Sequence, residues 1–369
     1  MRYQWLFLPL SLPFFITGCM QKPYPASKPI TQQERMQAPQ EETITLIEDD
    51  FIAQELKIAM ILPHKTIGRY AQSTSTALFS YLLSRQEPFV FKTFTVEDES
   101  QKTLQTALKK IEKEGFHFLI APVTLKGAKV LVDLESPLKI YLPTIHTHEI
   151  QSGNTNIYYG AIDYQAQIDA LMPLSGFPLV IMYDKSLKGE KLMEMTKESY
   201  IKTQIRPEDQ KYKKIYTYGI SKKRTSLQNI LEENDTIQKG TFFLNTPFIK
   251  STMILSQLSL YDIDADNVLS TQINYDPLLF SMTQLKDRDH LYLANSITHR
   301  NAELIQANAI LSNDIDHDWI NYSTTVGADL FYHLMTGQTR RYNLYVHEKQ
   351  VRYPVEILKA TKSRFERVN

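Results

Sequence analysis

Short apolar runs alternate with amphipathic stretches along most of this chain, and this order restricts the fold more than any other feature. The run Leu56–Pro63 is continuously apolar apart from one lysine and ends at a proline, which is typical of a buried parallel strand. Apolar residues between Ile67 and Leu82 then recur at helical spacing. Further strands are predicted at Phe89–Val96, Phe116–Val123 and Leu138–Leu142. This alternation predicts a parallel sheet with helices on both faces.

A second series of the same kind follows a crossing near 152–161. Its predicted strands are Leu179–Tyr183, Lys214–Tyr218, Gly240–Asn245 and Val268–Thr271. The strand–helix alternation ends before the carboxyl-terminal part of the chain. There the sequence predicts one long helix over Asp318–Met335 and a hairpin formed by Tyr342–Val346 and Val351–Val355. Gly127–Leu134 fits a helix or a strand equally well. The predicted fold class is therefore α/β, with two doubly wound parallel-sheet lobes.

The amino-terminal end has the parts of an export signal. Arg2 precedes an apolar run, Trp5–Ile16, and small residues stand before Cys19, the only cysteine of the chain. The run is too short to span a bilayer stably. The segment Ile16–Cys19 resembles the bacterial lipobox, which implies that Cys19 is acylated, for example by palmitate, and becomes the first residue of the mature protein. An ordinary export signal or a buried amino-terminal helix with a chance cysteine are the alternatives.

An acylated cysteine would hold the protein on the periplasmic side of the cell envelope. In the sorting rule of enteric bacteria an aspartate after the cysteine retains a lipoprotein at the inner membrane, so Met20 favours the outer membrane. The segment 19–50 is rich in Pro, Gln and Glu, which predicts a disordered tether.

Composition and motifs favour neither an enzyme nor a nucleic-acid-binding protein. Acidic and basic residues balance at 41 each, so no bulk attraction to nucleic acid is expected. The chain has no Gly-x-Ser-x-Gly elbow, no His-Glu-x-x-His helix and no Walker loop, and its 12 glycines are few for repeated phosphate loops. We therefore expect no catalytic residues and no cofactor.

The order of these elements resembles the type I periplasmic-binding-protein fold. Ile58–Pro63 followed by Gly68–Ala71 is similar to the opening strand and loop of branched-chain amino-acid receptors and of penicillin-binding-protein activator lipoproteins. Asn156–Gly160 resembles the passage into the second lobe, and Asp318–Phe331 the late helix. The resemblance implies the following division: 1–18 signal peptide, 19–50 lipidated cysteine and tether, 51–155 with 297–369 lobe 1, and 156–296 lobe 2.

Receptors of this fold commonly hold an amino acid by its carboxylate and its amine, in a cleft between the lobes. Here the first loop, His64–Gly68, lacks the usual Ser-Gly pair, so the amino-acid pocket is predicted to be degraded or repurposed. The remaining candidates for ligand contact are Thr66, Thr124, Thr144, Thr147, Tyr159, Asp163, Tyr183 and Tyr275. Helix caps and rim residues are the alternative interpretation of these side chains.

Three segments have side chains of the metal-binding kind. His146 and His148 stand two residues apart beside Glu149, but no further ligand is identifiable from spacing. Asp262–Asp266 spaces its carboxylates like the start of a calcium loop and lacks the glycine and glutamate that complete one. Asn313–Asp318 precedes the late helix, where capping is the expected role. No metal centre is predicted.

The sequence thus predicts a non-catalytic envelope lipoprotein that recognises a partner protein or a cell-wall component, in the manner of peptidoglycan-synthase activators. The alternative is a lipid-anchored solute-binding protein of an ABC transporter, which takes an amino acid or a similar small solute between its lobes.

Overall fold

The computed structural model describes residues 55–150, 152–203, 214–232 and 234–368. The predicted signal peptide, Cys19 and the predicted tether lie outside the described residues. Within them, no helix combines the length and the apolar character needed to cross a bilayer.

Seven strands form the first sheet. Their order across the sheet is β11-β12-β5-β4-β3-β1-β2. Strands β1 to β5 are mutually parallel, whereas β11 pairs antiparallel with β12. The bounds are β1 Leu56–Leu62, β2 Phe89–Thr95, β3 Phe118–Ile120, β4 Lys139–Leu142, β5 Ile157–Tyr159, β11 Val346–His347 and β12 Gln350–Val351.

A second sheet of seven strands has the order β14-β13-β10-β9-β8-β6-β7. Strands β6 to β10 are parallel, and β13 pairs antiparallel with both β10 and β14. The bounds are β6 Leu179–Asp184, β7 Ile215–Ile220, β8 Thr241–Asn245, β9 Asn267–Ser270, β10 Leu291–Asn295, β13 Glu356–Ala360 and β14 Phe365–Arg367.

Helices connect the strands and cover the sheets, as the alternation predicts. The stretch Gly127–Leu134, which fits a helix or a strand by sequence, is helical up to Asp133 and belongs to α4. Its Gly127, Ala128 and Leu131 are buried. The helices are α1 His64–Ile67, α2 Tyr70–Ser84, α3 Gln101–Lys113, α4 Leu125–Asp133, α5 Tyr164–Leu171, α6 Leu187–Lys202, α7 Gln228–Leu231, α8 Phe248–Leu260, α9 Leu279–Met282, α10 Leu285–Arg288, α11 Ala302–Ile310 and α12 Trp319–Thr336. The predicted α/β class with two sheets is confirmed.

The long helix α12 is almost entirely buried. It begins at Asp318, whose carboxylate accepts hydrogen bonds from the backbone N–H groups of Ile320 and Asn321 (3.0 and 3.2 Å), so the predicted capping role is confirmed. Its Gly327 lies against the ring of Tyr141 on β4, at a distance that leaves no room for a Cβ atom. The Ser323 hydroxyl contacts the carbonyl oxygens of Pro143 and Gly160 (2.9 and 2.7 Å), which fixes α12 to the carboxyl ends of β4 and β5.

The chain crosses between the sheets three times in the part that the structure describes, whereas the assigned lobe ranges imply two crossings. The first crossing follows β5, the second lies between β10 and β11, and the third joins β12 to β13. Strand β5 belongs to the first sheet, although its residues were assigned to lobe 2. Strands β13 and β14 belong to the second sheet, although their residues were assigned to lobe 1. The lobe boundaries themselves stay a prediction.

The predicted carboxyl-terminal hairpin exists but is shorter than the sequence indicates. Val346 pairs with Val351 and His347 with Gln350, whereas the predicted first strand began at Tyr342. The backbone N–H of Tyr342 donates instead to the Asp329 carboxylate (3.0 Å), so this part of the chain is held by α12 and not by a strand.

Candidate functional site

The loops that follow parallel strands collect at one edge of each sheet, where ligands bind in open α/β folds. In the first lobe these loops follow β1, β3 and β4. In the second lobe the corresponding positions include the turn from β6 into α6. The candidate functional site is built from these loops and from the start of α5, which follows the first crossing.

The four threonines predicted in the first lobe lie on these loops. Thr66 is exposed in the short helix α1. The Thr124 hydroxyl and backbone N–H both donate to the Glu99 carboxylate. The Thr144 hydroxyl donates to the carbonyl oxygen of Val123 (2.6 Å). Thr124 and Thr144 therefore stabilise the loops that carry them.

The remaining predicted residues fall into different surroundings. The backbone N–H of Thr147 donates to the Gln350 side chain (3.0 Å), and Tyr159 is buried on β5. Tyr183 is half-buried on β6. Tyr275 is buried beyond β9, where its hydroxyl accepts a hydrogen bond from Arg300 and its ring contacts Phe365 (centroids 5.0 Å apart). Ligand contact by any of these residues stays a prediction.

Asp163 is the predicted residue with the clearest local role. Its Oδ1 accepts from the backbone N–H groups of Gln165 and Ala166 (2.9 and 3.1 Å), which caps α5. Its other oxygen, Oδ2, lies 3.8 Å from Nε2 of His146. The structure thus brings Asp163 to the predicted histidine pair.

The histidine pair lies on the loop after β4. The rings of His146 and His148 have centroids 4.3 Å apart, and the backbone N–H of His148 donates to Nδ1 of His146 (3.1 Å). His146 is 5% exposed and His148 is exposed. Burial lowers the pKa of His146 to about 4 against the opposing attraction of Asp163, so the buried imidazole is neutral at physiological pH.

Lys188 was not among the predicted residues, and it adds a cation to the site: the residue as a whole is exposed, whereas its ammonium is surrounded by neighbouring groups. Ser186 caps α6 by accepting from the backbone N–H of Gly189 (3.1 Å), and this places Lys188 in the first turn. The Lys188 ammonium donates to the Tyr164 hydroxyl (3.0 Å) and lies over the Tyr164 ring. Burial lowers the pKa of Lys188, but the interactions with Tyr164 and Glu149 outweigh that effect and leave the pKa raised.

Lys188 faces the first lobe. Glu149, on the loop after β4, forms an ion pair with Lys191 one turn further along α6 (3.3 Å). Glu149 and Tyr70, the first residue of α2, both add to the electrostatic field at Lys188. The first turns of α6 therefore lie close to the loop after β4 and to the start of α2. The sequence signal that could have identified Lys188 is a basic residue two positions after a Ser cap that follows a buried strand.

A second concavity lies at the carboxyl end of β10. It is lined by Ile297, His299, Arg300, Asn301, Ile305, Ile315, Asp316, Tyr322 and Tyr342, and its empty space of about 150 Å³ includes open solvent. It encloses no room for a water-sized sphere, so it does not form a pocket for a small molecule.

Of the three segments that have side chains of the metal-binding kind, one contributes to a group of closely spaced donor atoms. Within the described residues, the group with suitable donor spacing is His146, His148 and Asp163, whose ligand atoms lie within 4.8 Å of one another. Asp262–Asp266 serves as a turn, in which the backbone of Asp264 pairs with Gln238 and Lys239.

Comparisons with known proteins identify the architecture. No family model matches the chain, and no curated protein matches it by sequence. Solved structures do match. A leucine binding protein from Thermotoga maritima has a TM-score of 0.60 at 10% identity, covering 85% of this chain and 98% of that one. A branched-chain amino acid transporter substrate binding protein from Streptococcus pneumoniae, in complex with isoleucine, has a TM-score of 0.60 at 10% identity, covering 85% and 99%.

A solute binding protein of an ABC transporter from R. palustris, in complex with benzoate, has a TM-score of 0.58 at 13% identity and covers 85% of this chain and 96% of that one. These similarities extend over nearly the whole length of each solved protein. The resemblance inferred from the order of the elements is confirmed: the chain has the fold of the type I periplasmic binding proteins.

Proposed function

We propose that this protein is a non-catalytic solute-binding protein that takes a small carboxylate in the groove between its lobes, as a component of an ABC transporter. The observation that carries the proposal is Lys188, an exposed cation in the first turn of α6, close to Glu149 on the loop after β4. The solved neighbours are solute-binding proteins, and nothing in the comparisons supports the activator role that the sequence favoured.

The position of Lys188 suits a carboxylate for two reasons. The first turn of a helix presents unpaired backbone N–H groups and the positive end of the helix dipole. The ammonium adds a full positive charge, and Tyr164 holds it in place through a hydrogen bond and a ring contact. In the described residues, no carboxylate lies within ion-pair distance of this ammonium, so an anion would be its charged partner.

The ligands named for solved neighbours support the same chemical class. Isoleucine and benzoate both carry a carboxylate, although they share little else. Tyr164, which contacts Lys188, and Tyr70, which lies near enough to act on its charge, offer aromatic surface for the remainder of such a solute. The proposed ligand is therefore a small carboxylate with an apolar or aromatic body.

The proposed location follows the export signal. We expect acylation at Cys19 to hold the protein on the periplasmic side of the envelope, with no nucleic-acid partner. A further solved neighbour, from Burkholderia xenovorans, is named a periplasmic ligand-binding protein, which agrees with this compartment.

A thermal-shift screen tests the proposal. The full chain with Cys19→Ala is screened against amino acids, aromatic carboxylates, short peptides and muropeptides. A solute present at 100 times its dissociation constant stabilises the folded state by about 2.7 kcal/mol, which raises the melting temperature measurably. We expect a rise with one class of carboxylate.

The variant Lys188→Met should abolish that rise, because it removes the charge and keeps the aliphatic chain. Lys202→Met is the matched control, since Lys202 is exposed at the far end of the same helix. A well-folded protein that responds to no small solute would contradict the proposal and return attention to envelope-protein partners.

A further inference from the structure

We propose that His146, His148 and Asp163 form a binding site for a divalent transition-metal ion of the Zn²⁺ type. The three side chains come from two segments, the loop after β4 and the start of α5. Their donor atoms already lie within 4.8 Å of one another. The site lies next to Lys188, since Asp163 and His148 directly precede Tyr164 and Glu149, but the metal proposal does not rest on the solute proposed above.

The donor set decides the class of metal. Two imidazoles and one carboxylate are typical ligands of Zn²⁺ and of similar transition metals, whereas Ca²⁺ and Mg²⁺ require several oxygen ligands. Three protein ligands leave one tetrahedral position for water or an exogenous ligand. The negative charges of Asp163 and Glu149 favour a cation here, and the nearby Arg352 opposes it.

One ligand is fixed in advance by the fold. Asp163 uses Oδ1 to cap α5, so Oδ2 is the oxygen that faces Nε2 of His146 at 3.8 Å. The buried His146 is held by its surroundings, while the exposed His148 is free to adjust its rotamer. Ligand atoms about 2 Å from a shared zinc ion lie roughly 3.3 Å apart, so the approach required is about 1.5 Å or less.

Metal binding changes one hydrogen bond. Nδ1 of His146 accepts from the backbone N–H of His148 in the metal-free arrangement. Coordination through Nε2 places the ring proton on Nδ1, so the His148 N–H has to turn away. The metal would exchange this hydrogen bond for a link between the loop after β4 and the segment that enters the second lobe.

Zinc titration of untagged full-length chain tests the site. The starting protein carries Cys19→Ala, which removes the thiol as a competing ligand. Affinity and stoichiometry are measured by competition with a chromophoric chelator, with Ca²⁺ and Mg²⁺ as comparison ions. We expect one Zn²⁺ ion per chain and no comparable binding of Ca²⁺ or Mg²⁺.

Two variants assign the ligands. Asp163→Asn retains the capping oxygen of α5, because asparagine caps helices as well as aspartate does, but it removes the carboxylate. His148→Ala changes an exposed side chain. Each should weaken zinc binding at least tenfold, since even the loss of an outer-shell partner costs 10- to 100-fold. His290→Ala, at an exposed position just before β10, is the control and should leave the affinity unchanged.

The proposal is overturned if the protein does not bind Zn²⁺, or if both ligand variants bind it as tightly as the parent. An equal loss of affinity in His290→Ala also overturns it. Circular dichroism in metal-free buffer establishes that each variant is folded, and if His148→Ala is not, Asp163→Asn decides the question. None of these measurements involves the solute, so failure of the metal site and failure of the solute-binding proposal are separately visible.

Discussion

Close packing around Tyr141 makes one glycine difficult to replace. A Cβ atom at Gly327 would lie 2.2 Å from Cε1 of Tyr141, deep inside the first lobe. Tyr141 cannot move aside easily, because it is fully buried and its hydroxyl donates to the carbonyl oxygen of Ser323 (3.0 Å). The same burial raises the pKa of Tyr141 to about 12.

We expect Gly327→Ala to lower the free energy of unfolding by about 1–3 kcal/mol, the usual cost of overpacking. Alanine is otherwise the better helix former, so a rise in stability would show that α12 does not pack as described. Urea unfolding measures the change. The control is Gly153→Ala, at an exposed position with no atom within 4 Å of the added Cβ.

The limits of sequence reasoning are clearest at single residues. His146 and His148 were identified as a pair because they are neighbours in the sequence. Asp163 was identified separately, as a cleft residue, and nothing in the spacing indicated that it meets the histidines. Lys188 was missed because one lysine in a charged amphipathic helix is ordinary. The chemistry of a site arises from contacts between distant segments, which one sequence does not encode visibly.

At the scale of elements, a buried carboxylate joins α2, α12 and the chain that follows. Asp329 is fully buried, and its Oδ1 accepts from Arg85 (2.8 Å) and from the backbone N–H of Arg341 (2.8 Å). The Tyr81 hydroxyl on α2 also donates to it (2.8 Å). Removal of one partner from a buried ion pair leaves the other charge without compensation.

We expect Asp329→Asn to destabilise the protein by about 3 kcal/mol or more, because Arg85 would stay buried without its counter-charge. Chemical denaturation measures the free energy of unfolding. The control is Asp235→Asn, the same substitution at an exposed position. A loss below about 1 kcal/mol would mean that the ion pair adds little to the packing of α2 on α12.

Elements with strong periodicity or long apolar runs were predicted well, and short ones were not. β1 and α12 match their predicted ranges closely, because each buries many side chains with the right period. β5 has only three residues, and β13 and β14 follow the hairpin closely. None of these three strands produces a distinct hydrophobic pattern in the sequence. The crossings between the sheets leave no compositional mark, which is why the assigned lobe ranges imply two crossings where three are present.

The predicted lipid anchor and the proposed transport function point to different membranes. An ABC transporter lies in the inner membrane, whereas Met20 favours the outer membrane. We expect the wild-type chain in the membrane fraction and Cys19→Ala in the soluble periplasmic fraction of cells that export it. Density separation of the two membranes then shows which one holds the wild type. Retention of the variant in the membrane would contradict lipid anchoring at Cys19.

The pairing of β5 with β12 bears on the order in which the chain is made. Tyr159 meets Gln350 across these strands, so the first sheet stays incomplete until nearly the whole polypeptide has been synthesised. An early fragment has neither its edge strand nor α12, and a nascent chain therefore lacks the contacts that close its first lobe. If the chain is exported while it is still being synthesised, this late completion leaves the first lobe unfinished during translocation.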